Sequence, residues 1–353
     1  MFDSAYSLEN HNIRTNGGSS PHNGAMRIRA AFLIGVAAAL FAGCTTSQSG
    51  APVYARHFDI GLIGDAPYTE EQITTSFPNL LAALDRERLA FVVHDGDIKA
   101  GDMPCSDAVF EDRLRDFQSS SHPLVYIFGD NEWTDCSSTN GFSPEERLQK
   151  LRDLFTRGEE SLGRRKLRLT RQSNGLRFSE FRENVRWSMR GVMFVGLNVP
   201  GAINDYGKPE FAERNAANIA WIKESFEVAK LGRRSALMFI MQANPFPERG
   251  ATNRMHAGFK EMMALLEQQT IAFKKPVVLV HGDSHYFRID KPLVDARGRR
   301  IENFTRVETF GNPDVHWVRV TVDPRTSDVF TFRPEIVAEN AVQHETLPTN
   351  LAP

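Results

Sequence analysis

The sequence predicts an α/β layered domain, on three observations. Strand-like apolar runs alternate with helical patterns from about Arg56 onward, the order expected of strands and helices stacked in layers. Several of those runs end in a glycine-aspartate pair. The 353-residue chain is 41% apolar and 24% charged with a formal net charge of -2, the make-up of an ordinary globular protein long enough to bury a real core. That balance excludes a disordered chain and leaves no basic footprint for a nucleic-acid partner. The basic clusters Arg164–Arg168 and Arg297–Arg300 read as solvated loop faces.

Taken in chain order, residues 1–25 are polar and rich in Gly, Ser and Asn, and are expected to lie outside the natural start at Met26. Arg27 and Arg29 then precede an apolar run, Ala30–Ala42, that ends in Phe41-Ala42-Gly43-Cys44. The run is about thirteen residues where a membrane span needs about twenty, so 26–44 reads as an export signal rather than an anchor helix. The small pair before Cys44 resembles the lipobox of bacterial lipoproteins, with Phe41 where that box has Leu or Val. Lipid on Cys44 and plain signal cleavage both remain open, and a buried apolar helix is the alternative to either. The expected location is the periplasm or outer membrane, with membrane contact only through the lipid. Export into an oxidising compartment makes Cys105 and Cys136 an even pair, expected to form a disulfide rather than two free thiols.

Strands are expected at residues 58–63, 89–93, 124–128, 192–197, 236–241, 277–280 and 317–322, where Val, Ile and Phe content suits a buried sheet. A helix should start at Ser143-Pro144-Glu145-Glu146, with Ser143 as cap, Pro144 in the first turn and Glu146 closing a capping box. Leu148, Leu151 and Phe155 form its buried face. A second helix over 215–230 puts Ile219, Ile222 and Phe226 on one stripe. With no internal repeat or long linker, one catalytic-type domain spans 55–340, followed by a flexible tail over 341–353.

Four loops carry the chemistry: Gly64-Asp65-Ala66-Pro67-Tyr68, Gly96-Asp97, Gly129-Asp130-Asn131-Glu132 and Gly282-Asp283-Ser284-His285. Each closely follows an expected strand. Ligands of open α/β sheets bind beyond the carboxyl ends of strands, so these acidic loops should converge on one site. Glycine ahead of each aspartate lets the backbone turn sharply against a ligand. His94 and His281, at strand ends, read as structural histidines, and Trp133 as packing. Asn198 and Asn204 are candidates to line the cleft, Asn198 as a substrate contact.

The order and spacing of these loops resemble the calcineurin-like metallophosphoesterases over about residues 57–322. That family's motifs run Asp-x-His, Gly-Asp, Gly-Asn-His-Asp/Glu, a lone His, and Gly-His-x-His. The resemblance implies a layered α/β/β/α sandwich, two divalent metal ions, and hydrolysis of a small phosphate ester by in-line attack on phosphorus. It places Asp65, Asp97 and His285 on metal-binding positions, Asp97 on the one shared between both ions. Pro67 stands where the first His belongs, Asp130 where the metal-binding Asn belongs, Asn131 at the catalytic His, Gln242 at the lone His and Asp283 at the first His of the last motif. The implied ligand set is therefore Asp65, Asp97, Asp130, Gln242, Asp283 and His285. Converging carboxylates without a cation repel and raise one another's pKa. Oxygen donors favour Mn²⁺, Mg²⁺ or Ca²⁺ over Zn²⁺. Tyr68 is either a phenolate ligand or an aromatic lid over the substrate. Asn131 cannot donate a proton to a leaving alkoxide, which leaves Glu132, His256 and His281 as alternatives. A catalytically silent metal- or ligand-binding protein on the same fold is the second reading.

Overall fold

Most of the long strands have near-continuous apolar sequences, and their alternate residues point into two different cores. The computed structural model describes residues 57–139, 141–246 and 257–342. The expectations for 1–25, for the export signal with Cys44, for His256 and for 343–353 fall outside the described residues. The strands are β1 (Phe58–Ile63), β2 (Leu89–His94), β3 (Leu124–Tyr126), β4 (Thr170–Arg171), β5 (Val185–Met189), β6 (Val192–Gly196), β7 (Ala236–Ile240), β8 (Val277–His281), β9 (Arg288–Asp290), β10 (Phe304–Glu308), β11 (Trp317–Val322) and β12 (Phe330–Glu335). The helices are α1 (Phe77–Asp85), α2 (Asp107–Ser119), α3 (Cys136–Thr139), α4 (Pro144–Phe155), α5 (Gly201–Asn204), α6 (Phe211–Leu231) and α7 (Lys260–Phe273).

The strands form a five-stranded sheet, β12-β11-β1-β2-β3, and a seven-stranded sheet, β4-β5-β6-β7-β8-β10-β9. Within the first, β1, β2 and β3 are parallel, while β11 runs antiparallel beside β1. Within the second, β6, β7, β8 and β10 are parallel. Ile60 and Leu62, Phe91 and Val93, Phe194, Met238 and Ile240, and Val318 and Val320 meet in one core between the two sheets. The other faces carry Ile63, Val92 and Tyr126 under α1, α2 and α4, and Val195, Phe239 and Leu279 under α6 and α7. The period-two alternation of each strand thus divides its side chains between an inter-sheet core and a helix-covered core. The result is the expected α/β/β/α sandwich.

All seven expected strands form, with ends displaced by at most two residues. Ser143 caps α4, its Oγ accepting from Glu146 N at 3.4 Å. Glu146 does not complete a capping box: its carboxylate pairs with the neighbouring Arg147, a charged donor that outcompetes a backbone amide. Leu148, Leu151 and Phe155 are buried, as are Ile219, Ile222 and Phe226 on α6.

Candidate functional site

The parallel strands of both sheets deliver their carboxyl ends to one edge, and their hydrogen-bond ladders continue into the loops. Asp65 N donates to Gly96 O at 3.0 Å, Met241 N to Val280 O at 3.1 Å, Gly282 N to Gln242 O at 3.0 Å and Thr309 N to His281 O at 2.9 Å. The loops after β1 and β2, and those after β7, β8 and β10, are in this way pinned within each sheet, and Asn312 N, donating to Asp65 O at 3.0 Å, ties the two sets together before any side chain is counted. Asp65, Asp97, Asp283 and His285 all take positive φ, at 47°, 59°, 78° and 58°. Asp tolerates that region better than most residues, and strain of this kind persists only where surrounding bonds enforce it. A β-carbon on Gly129 would collide with Asp97 Oδ1, and one on Gly282 with Asp65 Oδ2. Glycine at both positions is what lets backbone lie directly against a carboxylate.

Tyr68 is the hub of one half of the site. Its hydroxyl donates to Asp97 Oδ2 at 3.0 Å, accepts from Asn131 Nδ2 at 3.0 Å, and lies 3.3 Å from His285 Nε2 and 3.5 Å from Asp65 Oδ1. Burial, then the Asp97 and Asp65 carboxylates, hold this phenol well above its ordinary pKa. In this arrangement the hydroxyl is a hydrogen-bond donor to Asp97. The His285 imidazole meets Asp65 Oδ1 at 3.5 Å; burial pulls its pKa down, but the hydrogen bond and charge of Asp65 outweigh that and raise it.

The other half consists of oxygens. Asp97 accepts from Gln242 Nε2 at 3.1 Å and from Asn131 N at 3.2 Å. That orients the Gln242 amide so that Oε1, fully buried, has no hydrogen-bond partner. Asp130 Oδ2, Asp283 Oδ1 and this Oε1 lie 2.6, 2.6 and 2.9 Å from one point, the place a β-carbon on Gly201 would occupy. Burial pushes the Asp97 carboxyl well up, followed by the charges of Asp130, Glu132 and Asp65. Asp130 is driven the same way by burial, then by Asp283 and Asp135. No group of three or more His, Cys, Asp or Glu in the described residues is arranged to hold a metal ion. The convergent set counts only two carboxylates, its third donor being an amide. Its chemistry nevertheless fits a hard cation: an orphaned carbonyl and two carboxylate oxygens face one small space that glycine leaves open.

Several expectations are revised by these contacts. Glu132 does not face the cleft. It is wholly buried beneath its loop, where its oxygens accept from the Tyr126 hydroxyl and from the Gly129, Asp97 and Ile98 amides. It shapes the loop and is spent as a proton donor. Asn198 is also turned away, 1% exposed, its Nδ2 donating to Glu183 Oε1 at 3.1 Å; a strand-end Asn was drawn into the polar network of Asn184, Asn218 and Arg214. Asn204 belongs to the same network, donating to Gly258 O at 2.8 Å. Trp133 is buried with the Arg214 guanidinium 5.4 Å above its ring. Both strand-end histidines are buried and neutral, His94 at a pKa lowered to about 4 and His281 to about 3, chiefly by burial. Neither has a proton to lend.

Cys105 and Cys136 are joined, with Cα atoms 5.8 Å apart, and both sulfurs rest against the Asn131 carbonyl at 3.7 and 3.8 Å. The bridge therefore ties the loop after β2 to the loop after β3 directly behind Asn131. Two residues went unread in the sequence. Lys99 is wholly buried beside Glu132 and Asp97, its Nζ donating to Ala100 O at 2.9 Å; a lone basic residue two places after Asp97 was the available signal. Asp95, buried with Oδ2 accepting from Thr309 Oγ1 at 2.9 Å, buttresses the first loop.

No known protein family matches the sequence, and no curated protein does. Among solved structures the chain is similar to GAP50, the anchor in the inner membrane complex of Plasmodium, at 11% identity and a TM-score of 0.45, covering 79% of this chain and 89% of that one. It is also similar to a purple acid phosphatase from yellow lupin (Lupinus luteus) seeds, at 12% identity and a TM-score of 0.42. That match covers 84% of this chain but 57% of the phosphatase, so the chain spans little more than half its length.

Proposed function

We propose that this protein is a metal-dependent hydrolase of phosphate esters, acting on a small ester. The observation that carries the reading is the meeting of loops from both sheets on one oxygen-lined space, with the bare Gln242 Oε1 turned into it beside Asp130 and Asp283. Those three residues, with Asp97 adjoining, are the ones that would hold a divalent cation, and their oxygens favour Mn²⁺, Mg²⁺ or Ca²⁺ over Zn²⁺. When bound, such an ion supplies Lewis acidity and offsets charge developing on phosphoryl oxygens. Asn131 fixes rather than reacts: its Nδ2 donates to the Tyr68 hydroxyl and to Lys99 O, both at 3.0 Å. Without an acid at that position the leaving group departs unassisted, a loss of about 10²- to 10⁴-fold for a poor one. Esters with good leaving groups should therefore react best.

The purified protein, supplied in turn with Mn²⁺, Mg²⁺, Ca²⁺ and Zn²⁺, is to be assayed on an aryl phosphate, an aryl phosphodiester and an alkyl phosphate. Turnover of an aryl ester with a hard cation, and far less of the alkyl one, is expected. No turnover with any metal would leave the second reading, a silent ligand-binding protein, which the spent amide of Asn131 favours. Export with a lipid on Cys44 accompanies the proposal, supported by the Cys105–Cys136 disulfide, which an oxidising compartment sustains. Mass analysis of the mature N-terminus tests it, and an unprocessed chain in the cytoplasm would refute it.

A further inference from the structure

We propose that the site takes one divalent cation rather than two, held by Asp130, Gln242 and Asp283, and that the Tyr68 hydroxyl permanently fills the second position. The inference rests on reading the loops as a cation site, but not on turnover. The two halves of the site differ in what they leave open. On one side three oxygens surround a point that only the absence of a side chain at Gly201 keeps clear. Gln242 is fully buried, and its Nε2 donates to Asp97, which leaves Oε1 facing the two carboxylates. An unpartnered carbonyl facing two carboxylate oxygens is an arrangement that a cation relieves.

On the other side the three residues kept from a two-ion pattern, Asp65, Asp97 and His285, all converge on an oxygen already present. The Tyr68 hydroxyl lies 3.0 to 3.5 Å from each of them, hydrogen-bond distances throughout. Asn131 donates to it as well, which occupies its acceptor side. The ring packs edge-on against the His285 ring with centroids 5.2 Å apart. Its backbone is fixed too: Tyr68 N donates to Gln72 Oε1 at 2.7 Å, Gln72 Nε2 to Asn312 Oδ1 at 2.7 Å, and Asn312 N to Asp65 O at 3.0 Å. A second ion would have to displace a hydroxyl held by four side chains and anchored at its main chain. Pro67, standing where an imidazole would be needed, offers no donor in exchange.

The test is stoichiometry. Metal-stripped full-length protein is titrated with Mn²⁺ by calorimetry, with electron paramagnetic resonance counting free and bound ion. One equivalent per chain is expected, with the signal of an isolated ion. Gly201→Ala, which places a methyl at the convergence point, should weaken that equivalent at least tenfold. Tyr68→Ala should admit a second, weaker one. Two equivalents in the wild type, or a spin-coupled pair, would overturn the inference whatever the variants do. No bound Mn²⁺ at all would mean that the carboxylates share a proton instead, and would overturn it equally. Undiminished binding by a folded Gly201→Ala would remove the ion from this place. One equivalent without esterase activity keeps the inference and removes the proposed activity; two equivalents with activity do the reverse.

Discussion

Asp97 carries more of the site than any other residue, because its carboxylate faces both halves at once. It accepts from Tyr68 on one side and Gln242 on the other while its own backbone sits at φ 59°. Asp97→Asn keeps the shape, since asparagine takes that turn equally well, but removes the charge. Melts of the metal-free variant should show stability held or raised, as repulsion with Asp130 and Glu132 eases. The Mn²⁺-induced rise in Tm should shrink; equal shifts in both proteins would mean that Asp97 serves only as a turn residue. His94 gives a pH prediction. Its Nδ1 accepts from Gly96 N at 3.3 Å and its Nε2 faces Ala66 O at 3.0 Å, so the fold selects the neutral ring. With a folded pKa of about 4, below its ordinary 6.5, its contribution is complete above that ordinary value and is lost as pH falls toward 4. Between about pH 7.5 and about pH 5 this should cost about 2 kcal/mol, read by urea unfolding. His94→Gln should flatten the slope, and an unchanged slope would rule the ring out as its source. The Gly-Asp pairs were legible because a tight left-handed turn and a strand-end carboxylate are each specified by a single residue. Lys99 and Gly201 were not, since a buried cation and a missing side chain acquire meaning only from what folds around them.

Among the elements, the disulfide has the clearest measurable effect. It closes a loop with a sequence separation of 31, so replacing both cysteines with serine should cost about 3 to 4 kcal/mol in the chain-entropy account. Because both sulfurs brace the Asn131 carbonyl, Mn²⁺ affinity should fall as well. Denaturant unfolding and calorimetry on the double variant check each part, and intact affinity would show that the loops hold their register unaided. Strands β1, β2, β3, β6, β7 and β8 were readable as near-continuous apolar runs because layers cover both of their faces, and β11 by its Trp317, Val318, Val320 and Val322 despite Arg319. The five others were missed for three different reasons. β5 and β10 interrupt the run with Arg186 and Arg306, which the fold buries over Trp221 and against Asp290. β4 and β9 are short outer strands, and β12 alternates with exposed residues and contains Pro334. A charged residue buried with its partner leaves a polar letter in an otherwise apolar strand.

At the scale of the whole molecule, the core between the sheets sets stability. Phe91 lies 5.5 Å from the Trp187 ring and 5.0 Å from that of Phe194, joining β2 of one sheet to β5 and β6 of the other. Phe91→Ala should cost about 3 to 5 kcal/mol, read by denaturant unfolding, and a cost below about 1 kcal/mol would mean that the sheets repack freely. The pairing of β1 with β11 matches Phe58 to Val322, so one of the first strands to be made lies beside one of the last. A ribosome that has released β1, β2 and β3 has therefore produced a sheet with one edge bare, and Asp65 must wait for Asp283 and Asn312 to emerge before its loop can close. Closure of the first loop is tied to the last part of the chain to be made, so a truncation that removes β11 should leave β1 with a bare edge as well as the loop without its partners.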